Sequence, residues 1–87
     1  MIRLTKHELN GTGTTVRVDG RLDAETVGAL RTFVRDLDAQ PPITLDLAGL
    51  ASVDPAGLAA LIELRTAGHA LQGGSLYISR LLQEAQP

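Results

Sequence analysis

The stretch Leu45–Leu64, LDLAGLASVDPAGLAALIEL, decides how the chain is read. Immediately before and within it, Ile43, Leu45 and Leu47 alternate with Thr44 and Asp46, the period of two that marks a strand over Ile43–Leu47. Asp54-Pro55 then announces a helix. A carboxylate at the N-cap can accept from the first-turn backbone N–H groups, and proline at the first helical position has no N–H to leave unbonded. Leu58, Leu61, Ile62 and Arg65 follow at helical spacing, with Leu64 widening the apolar stripe. Between strand and helix, Ala48–Gly57 reads as a loop where an α/β domain usually presents its working surface.

Working back from this unit, Ile2–Leu9 reads as an edge strand and Thr14–Asp19 as a second strand. The intervening Asn10-Gly11-Thr12-Gly13 is a turn signal, so the pair forms an antiparallel hairpin. Gly11 and Gly13 form no nucleotide fingerprint, because no helix opens behind them. Asp23 is the expected cap of a first helix over Ala24–Asp38, whose Val27, Leu30, Val34 and Leu37 share a stripe flanked by Phe33. Gln40-Pro41-Pro42 is expected to stop that helix. Beyond the second helix, Gly68 and Gly73-Gly74 read as terminators. Ser75–Ser79 then reads as a last strand, with a short helical tail over Arg80–Ala85.

The predicted order is β-β-α-β-α-β plus that tail: a single α/β domain spanning residues 1–87, with a four-stranded mixed sheet. Strands joined through helices should be parallel and right-handed. Asp19–Asp23 and Ala48–Gly57 should therefore meet beyond the carboxyl ends of the parallel strands, each leading into a helix.

Composition narrows the function classes. Of 87 residues only Phe33 and Tyr77 are aromatic, so a ring-stacking nucleic-acid module is excluded. A formal charge of −2 removes the basic footprint of a DNA or RNA binder. The chain has no cysteine, hence no disulfide and no thiolate chemistry. No run is long enough to insert in a membrane and Met1–Lys6 lacks a signal-peptide core, so a cytoplasmic protein is expected. There is no P-loop and no histidine–carboxylate–nucleophile constellation, so neither catalysis nor a cofactor is expected. His7 and His69 lie far apart in sequence, which gives no metal site. Asp46, at a strand end, is expected to bind loop amides.

The phrases GRLDAET, ITLDLAGLASVDPAGLAALIEL and GGSLYI, in this order, resemble the STAS domain family over about Thr14–Ile78. The most specific parts are Gly20-x-Leu22-Asp23, Leu45-Asp46-Leu47 and Val53-Asp54-x-x-Gly57-Leu58. STAS domains include bacterial anti-sigma factor antagonists and the small soluble subunit of a phospholipid-trafficking ABC transporter. The resemblance implies a module that binds an anti-sigma factor of the serine-kinase type or, alternatively, the ATPase of an ABC transporter. In the antagonists the residue after the loop aspartate is a serine or threonine that the partner kinase phosphorylates. Added negative charge beside carboxylates repels the partner. Here that residue is Pro55, so the usual acceptor hydroxyl is missing. Ser52 is the nearest hydroxyl, and a turn role is expected of it. The partner surface expected from this resemblance comprises Asp23, Leu50, Ser52, Asp54, Pro55, Ala56, Gly57 and Ala59. On this reading Gly57→Arg or Leu50→Asp removes binding and leaves the fold intact. The family usually ends in a longer loop and a full last helix. A shorter tail here would expose apolar surface and favour a weak homodimer.

Overall fold

In the computed structural model, which describes residues 1–9, 13–37 and 43–84, the chain forms five strands and three helices. In chain order these are β1 (Ile2–Leu9), β2 (Gly13–Leu22), α1 (Val27–Leu37), β3 (Thr44–Asp46), β4 (Leu50–Val53), α2 (Pro55–Thr66), β5 (Ala70–Gln72) and α3 (Leu76–Glu84). The hairpin turn at residues 10–12 and the Gln40-Pro41-Pro42 helix stop lie outside the described residues.

β1 and β2 pair antiparallel from Ile2↔Gly20 to Leu9↔Gly13, as the hairpin reading requires. On its other side β2 carries two parallel neighbours in line: β3, from Thr15↔Thr44, and β4, from Gly20↔Leu50. β5 continues the sheet on the far side of β3, also parallel. One face of the sheet supplies Val16, Val18, Leu22, Leu45 and Leu50 to a single core, which Val27, Leu30, Ala60, Leu61, Ile78 and Leu82 close from the helices. α2 sits centrally and packs on α1, α3 and the sheet. The opposite face is polar. Thr5, Arg17, Asp46 and Gln72 fall in one row across β1, β2, β3 and β5, and the Arg17 guanidinium donates to Asp19 Oδ1 at 3.0 Å.

The structure corrects the reading in several places. β2 runs three residues past Asp19, because Gly20 adopts φ 103° and a register shift at Gly20/Arg21 lets the ladder resume. A Cβ on Gly20 would stand 2.4 Å from Met1 O. The expected loop Ala48–Gly57 holds a strand at Leu50–Val53 and the first turn of α2 from Pro55. Leu50 N–H donates to Leu47 O at 3.0 Å, and that tight turn sends the chain back alongside β2 as β4.

The last strand is not Ser75–Ser79. α2 ends at Thr66 with Ala67 as its C-cap, and Gly68 (φ 107°) follows in the left-handed region; Gly68 N–H donates to Arg65 O and His69 N–H to Leu64 O, both at 3.0 Å. This is the paired closure made when the residue after the C-cap is left-handed. It frees Ala70–Gln72 to pair with β3 as β5. Gly73 and Gly74, at φ 74° and 90°, then turn the chain out of the sheet. Ser75 Oγ accepts from Ile78 N–H at 3.1 Å and caps α3. α3 is a full last helix of nine residues with Ile78 and Leu82 buried, so the expected short tail is also corrected.

A candidate partner-binding edge

The site is built on the carboxylate of Asp54. Its backbone is extended (φ −98°, ψ 178°), as an N-cap requires, and Oδ1 accepts from Gly57 N–H at 2.8 Å. Pro55 occupies the first turn, where its missing N–H costs nothing. The second oxygen does something the local sequence does not announce: Oδ2 accepts from Ala24 N–H at 3.1 Å, thirty residues away. Asp54 N–H in turn donates to Leu22 O at 3.1 Å. One residue thus starts α2 and fastens the turn before α1 beside it.

That turn is organised by Asp23. Its Oδ1 accepts from Glu25 N–H at 3.0 Å and Thr26 N–H at 3.1 Å. Thr26 Oγ1 accepts from Asp23 N–H at 2.9 Å and donates to Arg21 O at 2.9 Å. Val27 N–H donates to Asp23 O at 2.9 Å, so Asp23 caps the element as expected, although regular helix begins at Val27 rather than Ala24. Burial pushes the Asp23 carboxyl up, but the N–H groups of Glu25 and Thr26 and the Thr26 hydroxyl outweigh it and hold the carboxyl below its ordinary value. Thr26 was absent from the expected site. An aspartate followed three residues later by a hydroxyl was its signal.

Asp23, Ser52, Asp54, Pro55, Ala56 and Ala59 all lie along this edge, with Ser52, Pro55 and Ala59 exposed. Two expected surface residues do not belong to the surface. Leu50 is 5% exposed and part of the core, because the strand that replaces the expected loop points it at the helices. Gly57 is buried, and a Cβ there would stand 2.3 Å from Leu22 O and 2.8 Å from Val53 Cγ2. Glycine at this position lets α2 start against β2. Leu50→Asp and Gly57→Arg are therefore folding mutations, contrary to the reading from sequence.

The remaining candidates have local duties. Asp46 Oδ1 accepts from Ala48 N–H at 3.0 Å, shaping the β3–β4 turn as expected. His69 Nδ1 accepts from Ile43 N–H at 3.1 Å. No group of three or more metal-ligating side chains occurs among the described residues. No described helix is long and apolar enough to cross a membrane.

Among solved structures, the chain is similar to one titled "Structure of the Anti-Sigma Factor Antagonist SpoIIAA in its Unphosphorylated Form", with a TM-score of 0.68 and 18% identity, over 93% of this chain and 82% of that one. At that identity the likeness is one of fold. No curated protein sequence matches. A family model described as "Mlab, STAS domain" matches residues 6–84. With that match across nearly its whole length, and with the fold to agree, the chain belongs to the STAS family.

Proposed function

We propose that this chain is a non-enzymatic protein-binding module of the anti-sigma-factor-antagonist type that occupies its partner without phospho-control at position 55. The carrying observation is the Asp54 carboxylate, which joins the Asp23–Thr26 turn to the first turn of α2 in one preorganised edge. Rigid irregular backbone presented by a sheet is the usual setting for recognition. The exposed groups on it are Ala24, Glu25, Ala51, Ser52, Pro55 and Ala59. Its two aspartates are engaged as caps, which suits binding rather than proton transfer. Similarity in fold to an anti-sigma factor antagonist supports the assignment, and the partner proposed on it is an anti-sigma factor of the serine-kinase type. Pro55 offers no hydroxyl, so the complex is constitutive. The site of action is the cytoplasm, where such a partner resides.

A second reading is favoured by the same proline. A subunit that steadies the ATPase of a phospholipid-trafficking ABC transporter needs no phosphate acceptor on the edge it grips.

Affinity purification of the tagged chain from its native lysate, followed by mass spectrometry, decides between them. Recovery of a kinase-like anti-sigma factor that wild type retains and Ala59→Arg loses supports the antagonist. Recovery of an ABC ATPase under the same control overturns it in favour of the transporter subunit.

A further inference from the structure

The polar face of the sheet, turned away from the helices, carries a cleft that the Asp54 edge does not use. In the β1–β2 register Arg3 stands opposite Asp19, and Thr5 opposite Arg17. Val16 and Val18 point into the core, so Arg17 and Asp19, with Arg3 and Thr5 beside them, alternate onto the other face. Arg3 and Arg17 are diagonal neighbours on paired strands, a spacing that long side chains bridge. Both line one open cleft of about 710 Å³, together with Thr5, Asp19 and Gly20.

Arg17 is held in place there. Its Nε donates to Asp19 Oδ1 at 3.0 Å. Asp19 in turn lies against Gly49: Gly20 N–H donates to Gly49 O at 3.0 Å, and a Cβ on Gly49 would overlap Asp19 Oδ1. A residue without a side chain at 49 therefore lets the Asp19 carboxylate sit where it orients Arg17. The bond through Nε uses one of the five N–H groups of the guanidinium and leaves the four on its terminal nitrogens. Asp46, the neighbour of Arg17 on β3, has Oδ1 engaged by Ala48 N–H. Arg3 has no ion-pair partner among the described residues. Two guanidinium groups against one carboxylate leave this cleft with a surplus positive charge, in a chain whose formal charge is −2.

We propose that this cleft binds a small molecule through its phosphate or carboxylate group. The terminal N–H groups of Arg17 and the guanidinium of Arg3 hold the anion from two strands, and the Thr5 hydroxyl donates to it. The planar fork of arginine matches both kinds of anionic group, and a charge-assisted bond is stronger than a neutral one. The cleft is within the size range of small-molecule sites, so the rest of the ligand has room beyond the anionic group. Asp19 and Gly49 are positioning residues in this arrangement. The site is independent of which protein the Asp54 edge takes.

The test is an NMR titration of the purified domain with sodium phosphate and, separately, with sodium succinate, each against sodium chloride at matched ionic strength. The expected result is saturable shifts of the Arg17 Nε–H signal and of the Thr5 and Gly20 amides with at least one of the two anions. Saturation by phosphate alone supports the proposal and identifies a phosphate-bearing ligand, and saturation by succinate alone supports it and identifies a carboxylate. Arg3→Gln should weaken the binding about tenfold or more. Gly49→Ala changes no charge, yet it should weaken the binding as well, because Asp19 then no longer holds Arg17. Arg80→Gln, at an exposed position on α3, should leave it unchanged. Arg3 is exposed, so its variant reads the site even where Gly49→Ala disturbs the β3–β4 turn. Shifts that fail to saturate, or that chloride reproduces, overturn the proposal. So does binding that survives Arg3→Gln, or that falls equally with Arg80→Gln. Wild-type affinity in a folded Gly49→Ala also overturns it, because the arginines then act as an unorganised charged surface.

Discussion

Ala24 N–H donates to Oδ2 of Asp54 across 3.1 Å, and this bond is the link between two segments that the sequence separates by thirty positions. The other oxygen of the same carboxylate holds Gly57 N–H. The two duties can be separated chemically. Asparagine keeps one acceptor for the cap but presents an amide N–H₂ where Ala24 needs an acceptor. Asp54→Asn should retain α2 and speed amide exchange at Ala24, whereas Asp54→Ala should lose both bonds and cost about 1–2 kcal/mol of stability. Hydrogen exchange and urea denaturation read the two effects separately. Equal exchange at Ala24 in wild type and Asp54→Asn would remove the link.

Gly57 is expected to be intolerant even of alanine. The added methyl meets a backbone carbonyl at 2.3 Å, which cannot rotate away as a flexible side chain would. Overpacking of this kind costs about 1–3 kcal/mol. Gly57→Ala should lower the unfolding free energy measured in urea by that much, and Gly57→Arg should unfold the domain. A cooperative, near-wild-type transition for Gly57→Arg would return this residue to the surface.

Asp23 sets an acid limit. Its carboxyl is held below the ordinary value of 3.8, so the ionised form is favoured in the folded state. A depressed folded value means that its contribution is complete above the unfolded value and is lost as pH falls through the folded one. Stability of the wild type measured from neutral to strongly acidic solution should fall more steeply in this window than that of Asp23→Asn. Parallel curves for the two proteins would show that the turn does not depend on the charge.

At the opposite end of β3, Ile43 N–H is satisfied only by the imidazole of His69 among the described residues. His69→Phe keeps much of the volume and leaves a donor without a partner, at a cost of about 1–3 kcal/mol. Thermal or chemical denaturation measures this. A neutral substitution would mean that water satisfies Ile43 N–H equally well.

Restoring a hydroxyl tests the role of Pro55. Position 55 is exposed in the first turn of α2, so Pro55→Ser should fold normally. With an anti-sigma kinase partner and ATP, the variant should take up phosphate and then release the partner, because about −1.5 to −2 charges arrive beside Asp54 and Asp23. Wild type should remain bound. A phosphorylated variant that stays bound would show that the partner grips elsewhere.

The sequence by itself determined the elements with long or chemically marked signals. Alternation over Ile2–Leu9 and Thr14–Asp19 marked the hairpin, Asp54-Pro55 marked the start of α2, and Asp23 marked the turn before α1. Each depends on neighbours within a few residues, so a linear reading suffices. Tertiary structure decided the rest. Three- and four-residue strands such as β5 and β4 hold too few residues for a period of two to register, and they exist because β3 and β2 offer edges to pair with. Leu50 looked like loop surface until β4 pointed it into the core. Ser75–Ser79 had the composition of a strand, but the helix closure at Ala67-Gly68 gave the sheet position to Ala70–Gln72 and left Leu76–Glu84 to coil as α3. Which residues share the edge with Asp54 was likewise a matter of distance in space, because a carboxylate has two oxygens and sequence spacing accounts for only one.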